Sequence, residues 1–112
     1  MPEDRERERQ RLRYIMLAGR THEISDRHDR ARASYEAAAN LASALGNDQG
    51  RARARIAAAS LELGHGEFQR VLEHVQSAEA ALGGGGGDDL AFALGPYKFL
   101  YVFSSRLDAL PR

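Results

Sequence analysis

The sequence predicts an all-α fold of antiparallel helical hairpins. Three observations carry that prediction. Apolar side chains recur at spacings of three and four from Met1 to Leu82, with little strand-like alternation. The stretches between these periodic segments are about two to five residues long, so consecutive helices must lie antiparallel. Similar residue types also return at a fixed offset of 40 positions, the mark of a repeated structural unit.

The first helix runs from about Glu3 to Glu23 and places Leu12, Ile15, Met16 and Gly19 on one face. Ser25 or Asp26, both competent N-caps, open the second, which aligns Ala31, Tyr35, Ala38, Ala42 and Leu45 and ends at Gly46. Asn47 and Asp48 are turn and cap residues, and the third helix then presents Ala52, Ile56, Ala59 and Leu63 until Gly64 stops it. The fourth starts at Gly66 and stacks Phe68, Val71, Val75, Ala78 and Leu82. Residues 1–82 therefore form two hairpins. A glycine-rich linker spans 83–89, because five successive glycines from Gly83 to Gly87 cost a helix about 1 kcal/mol each relative to alanine. A phosphate-cradling role for these glycines is disfavoured, since Asp88 and Asp89 follow them and no Gly-Lys-Ser/Thr does.

Residues 90–112 differ in composition and hold five of the eight aromatic residues: Phe92, Tyr97, Phe99, Tyr101 and Phe103. Helix and strand compete here. A short helix opened by Pro96 is preferred, with Leu100, Phe103, Leu107 and Leu110 on one face, because a lone strand has no pairing partner in a helical chain. Tyr97, Phe99, Leu100, Tyr101 and Phe103 cannot all face one hairpin. They are therefore the expected oligomerisation surface of a twofold homodimer, with fold-back onto the fourth helix as the alternative.

Length and charge bound the function. At 112 residues the chain is one small domain, and its hydrophobic fraction of 43% is made largely of alanine, which implies thin, close packing. The 16 basic and 16 acidic residues cancel, which argues against bulk attraction to nucleic acid or membrane. All the cations but Lys98 are arginines, which favours planar, bidentate contacts. With no cysteine there is no disulfide, thiolate ligand or thiol nucleophile, and no run of apolar residues is long enough to span a bilayer. A cytoplasmic location is expected. His22, His28, His65 and His74 have neither i,i+4 spacing nor an H-E-x-x-H context, so no metal site, cofactor or catalytic residue is expected and the chain reads as a non-enzyme.

The repeat offset is specific in what it aligns. Ala31, Tyr35 and Ala38 fall on Val71, Val75 and Ala78, and Ala18 and Gly19 fall on Ala58 and Ala59, so small residues recur where two helices of a hairpin would cross. With Gly66 and Phe68 preceding Val71, Val75 and Ala78, residues 12–82 resemble a tetratricopeptide repeat (TPR) protein of the longer, roughly 40-residue type found in bacterial regulators and polarity adaptors. Asp26 and His28 stand where that pattern has its turn glycine and aromatic residue, and Arg55 where it has a bulky apolar one.

The resemblance implies a short right-handed TPR-like solenoid with a C-terminal capping helix. It also implies a non-catalytic protein–protein interaction module, an adaptor or scaffold. Carried over position by position, the groove would be lined by Arg13, Leu17, Arg20 and Glu23 from the first hairpin and Arg53, Ala57, Ser60 and Gly64 from the second. Three arginines suit a protein or peptide partner with acidic groups. The family's carboxylate clamp needs an asparagine where this chain has Ala57, so an acidic tendency is all that is implied. Two other functions are weighed against this one. The Arg5–Arg13 run could serve a small nucleic-acid-associated regulator, though Glu6–Arg9 and Glu8–Arg11 pairing would make it a solvated face. A structural, self-assembling subunit is the third reading.

Overall fold

The computed structural model describes residues 2–83 and the isolated Gly95, and the expectations placed on 84–94 and 96–112, the aromatic oligomerisation surface among them, lie outside the described residues. Four helices follow in order: α1 (Pro2–Ile24), α2 (His28–Ala44), α3 (Asp48–Gly64) and α4 (Phe68–Leu82). There is no strand among the described residues. Each helix packs on the next along the chain. α3 also meets α1, since Leu12 and Ala54 share one buried cluster, and Met16 packs with Ala57 against another.

Three short linkers join the helices, and they are the same turn used three times. Asp26, Gly46 and Gly66 hold the left-handed conformation at φ +60, +68 and +72. In each turn that residue's N–H donates to the carbonyl three positions back: Asp26 to Glu23, Gly46 to Ser43 and Gly66 to Leu63, all at 3.1 Å. The following N–H reaches five positions back, Arg27 to His22, Asn47 to Ala42 and Glu67 to Glu62, at 2.8 to 2.9 Å. Paired bonds of this kind satisfy the orphan carbonyls of a helix end around a left-handed residue. The next residue then opens the following helix: Arg27, Asn47 and Glu67 accept from Ala31, Arg51 and Val71. Asp26, Gly46 and Gly66 are evenly spaced along the chain, so the backbone repeats helix by helix. The side-chain offset spans two of these steps.

This turn moves two helix starts from where the sequence put them. Asp26 does not cap α2; it ends α1, and α2 begins at His28 behind Arg27, which makes no side-chain cap bond. α3 ends at Gly64 as expected, Gly66 belongs to the turn that follows it, and α4 begins at Phe68. Asn47 caps α3 as expected, its Oδ1 accepting from the Gly50 N–H at 2.9 Å.

The core is built from small residues. Ala31, Ala38, Ala42, Ala52, Ala54 and Ala59 are fully buried, with Tyr35, Leu61, Val71 and Val75 supplying the larger volumes. Alanine at the contacts allows close interaxial approach, at the short end of the ~8–10 Å range. At the first crossing a Cβ on Gly19 would sit 2.7 Å from Tyr35 Cε1. At the second crossing alanine replaces the glycine and valine the tyrosine, and Ala59 and Val75 are buried together in one cluster. Phe68 departs from expectation. As the first residue of α4 it projects outward, 59% exposed, rather than stacking with Val71 and Val75.

Candidate functional site

The face formed by α1 and α3 holds the side chains expected to line a groove. One depression is bordered by Arg9, Arg13 and Leu17 from α1 and Gly50 and Arg53 from α3. Leu17 continues into a second, bordered by Arg20, Glu23, Tyr35, Ala57 and Ser60. All five sequence-expected partner-binding residues, Arg13, Leu17, Arg20, Arg53 and Ser60, therefore border a continuous surface; Gly64 borders neither depression. Helical spacing accounts for the arrangement. Positions 13, 17 and 20 lie along one side of α1, and 53, 57 and 60 along the facing side of α3.

The electrostatics of this surface are one-sided. Among the described residues Arg9, Arg13, Arg20 and Arg53 have no carboxylate partner. The one carboxylate in the lining, Glu23, accepts a hydrogen bond from the Tyr35 hydroxyl at 2.9 Å. Burial, reinforced by that bond and by the charge of Glu23, raises the Tyr35 phenol pKa well above its usual value. Tyr35 is thus a fixed neutral floor that keeps Glu23 in place. Leu17, 64% exposed, is an apolar step between the arginines.

Two arginines at the α2–α3 contact are neutralised. Arg32 of α2 donates to both oxygens of Glu62 of α3, Nε to Oε1 at 2.7 Å and Nη2 to Oε2 at 3.2 Å. Glu62 is fully buried. Burial by itself would push its carboxyl pKa up, but the Arg32 hydrogen bond and charge, helped by His28 and Arg70, hold it below the usual carboxylate range. Arg55 of α3 makes the same kind of fork on Glu36 of α2, at 2.9 and 3.3 Å, and lies 3.4 Å from His74 Nδ1 of α4. Burial first and the Arg55 charge second lower the His74 pKa. The His28 and His65 rings meet with centroids 3.6 Å apart and planes tilted by 46°, and His28 Nε2 is 2.6 Å from Arg32 Nη2. No group of three or more metal-ligating side chains occurs among the described residues.

Sequence reasoning missed the Arg32–Glu62 pair. Its only signal was a glutamate at an otherwise apolar helical position, three residues beyond Ala59 and ten beyond Ala52. Arg51 and Arg55 share one side of α3 and are half-buried, while Arg53 is exposed. Of the two pairings expected in the N-terminal run, Glu8–Arg11 forms, at 3.8 Å.

No described helix is long and apolar enough to cross a membrane. No family model, curated protein or solved structure matches this chain.

Proposed function

We propose that the chain is a non-catalytic protein–protein interaction module of TPR-like build, which holds an acidic segment of a partner along the groove between α1 and α3. One observation carries this reading: four guanidinium groups, those of Arg9, Arg13, Arg20 and Arg53, border the α1–α3 surface with no carboxylate partner among the described residues. By contrast, Arg32 and Arg55, which tie α2 to α3, are each forked onto a glutamate. Guanidinium forks bind carboxylates through two parallel hydrogen bonds, so an acidic segment is the chemistry that complements the groove. Support for the TPR-like build comes from the turn that recurs at Asp26, Gly46 and Gly66 and from α3 packing against both α1 and α2.

Substituting Arg13, Arg20 and Arg53 together by glutamate reverses the sign of the groove without touching the buried residues. Binding of an acidic peptide should then be lost, while the helical circular dichroism and melting temperature stay near those of the parent. Unchanged affinity in that titration would reject the groove. Retention of DNA at physiological ionic strength, abolished by neutralising Arg5, Arg7 and Arg9, would favour nucleic acid as the partner instead.

A further inference from the structure

Beyond the groove, α1 carries a second surface, a stripe that shares only Leu17 with the two depressions. Tyr14, Leu17 and Ile24 are 72%, 64% and 80% exposed, and Thr21 between them is exposed as well, its hydroxyl turned back to donate to the Leu17 carbonyl at 2.9 Å. Their spacing of three, four and three is the heptad spacing of a helix–helix seam. The stripe lies opposite the buried face of α1 marked by Leu12 and Gly19, so among the described residues nothing covers it. Exposed Arg13 and Arg20 flank it on one side and Arg11 on the other. From residue 14 to residue 24 the stripe is ~15 Å long, about three helical turns.

We propose that this seam docks an amphipathic helix of a partner protein, one whose apolar residues alternate at spacings of three and four and whose flanking positions are acidic. Charge decides among the possible occupants. A second copy in twofold antiparallel pairing would set the Arg13–Arg20 row against itself. The chain's own C-terminal sequence has the same three-four-three spacing at Leu100, Phe103, Leu107 and Leu110, but it brings Lys98, Arg106 and Arg112 against the single acid Asp108. A lipid surface favours a wide apolar face, whereas this stripe is one side chain wide and interrupted by a threonine. A helix with glutamates beside its seam satisfies both the apolar stripe and its arginine borders. The seam shares Leu17, Arg13 and Arg20 with the edge of the groove and differs from it elsewhere: Tyr14 and Ile24 border neither depression, and Arg53 and Ser60 lie away from the stripe, on α3.

The test uses the full chain and a fluorescent peptide of about three heptads with leucine at the seam positions and glutamate beside them. Two controls are a lysine-flanked version and one of identical composition with the seam spacing shuffled. Saturable anisotropy in the micromolar range is expected for the glutamate-flanked peptide, and binding about tenfold or more weaker for both controls. The double substitution Tyr14→Lys and Ile24→Lys, at exposed positions and therefore compatible with folding, should weaken binding by about tenfold or more, and Arg53→Glu should leave it unchanged. Equal binding of the shuffled peptide overturns the proposal, as does indifference to the double substitution. So does a particle of twice the 12.3 kDa chain mass that the same substitutions split into monomers, because a second copy is then the occupant. Binding to phosphatidylserine vesicles that the double substitution abolishes, without peptide binding, overturns it too. Loss of acidic-peptide binding on Arg53→Glu alone, with the seam peptide still bound, speaks to the groove and supports a separate seam.

Discussion

The hairpins α1–α2 and α3–α4 share a backbone and differ in how they fill it. At the first crossing Gly19 lies under the ring of Tyr35, and at the second Ala59 and Val75 share a buried cluster. At the turn the first hairpin puts Asp26 into the left-handed conformation and the second uses Gly66. The small and large members change together, so what repeats is the space between two helices rather than any particular side chain. The junction between the hairpins differs again. There Arg32–Glu62 and Arg55–Glu36 cross from α2 to α3, while the repeat-equivalent positions of these four hold Leu72, His22, Ile15 and Gln76. Apolar complementarity builds each hairpin. Forked ion pairs add the constraint that sets one hairpin on the other.

Breaking the junction should have the largest effect. Arg32→Ala leaves the buried Glu62 carboxylate without its guanidinium and should cost about 3 kcal/mol or more in urea denaturation, whereas replacing both by apolar residues of similar volume, Arg32→Met with Glu62→Leu, should recover most of that loss. If the double replacement is as damaging as the single, the pair acts through something other than an uncompensated charge.

Acidification should weaken the same junction in two windows. The lowered pKa of His74, which faces Arg55, Glu36 and Glu73, means that the unfolded chain takes up the proton first. Its contribution is present above the ordinary histidine value of ~6.5 and is lost as pH falls from there through the folded value. The lowered pKa of Glu62 acts with the same sign but only below about 4.3. His74→Gln should flatten the upper part of a stability–pH curve and leave the lower part intact. A curve with the upper decline unchanged would remove His74 from the junction.

The turn gives the smallest effect. Asp26 at φ +60 carries strain that Gly66 avoids, so Asp26→Gly should stabilise the chain by about 0.5 kcal/mol, the relief of strain being offset in part by the entropy of an added glycine. Gly66→Asp should cost a comparable amount. A loss of stability in Asp26→Gly would show that the aspartate side chain contributes more at this turn than its backbone strain removes.

Much of this is legible from residue spacing, and the failures have physical causes. Four helices and the buried positions Ala31, Tyr35, Ala38, Val71, Val75 and Ala78 follow from a period near 3.6, because burial is what that period encodes. The helix-by-helix step of the backbone is hidden at Asp26. Aspartate is favoured both as an N-cap and, after asparagine and glycine, in left-handed turns, so its identity does not say which of the two it does here. Phe68 has the size and spacing of a core residue, but a side chain at the first position of a helix can point past the end of its neighbour. The groove arginines are reached through the resemblance. What periodicity does not show is which arginines meet a glutamate from another helix, since the partners of Arg32 and Arg55 are 30 and 19 residues away.

Gly19 and Tyr35 fill the same space in the first hairpin that Ala59 and Val75 fill in the second, and a double-mutant cycle at the first crossing tests that equivalence. Gly19→Ala, which drives a methyl into the Tyr35 ring, should cost about 2 kcal/mol, and Tyr35→Val, which empties the floor of the crossing, a similar amount. Made together they reproduce the Ala59 and Val75 pair, and the double variant should be more stable than the sum of the two losses predicts by about 1 kcal/mol or more. Losses that simply add, with no coupling between the two sites, would contradict the equivalence of the hairpins.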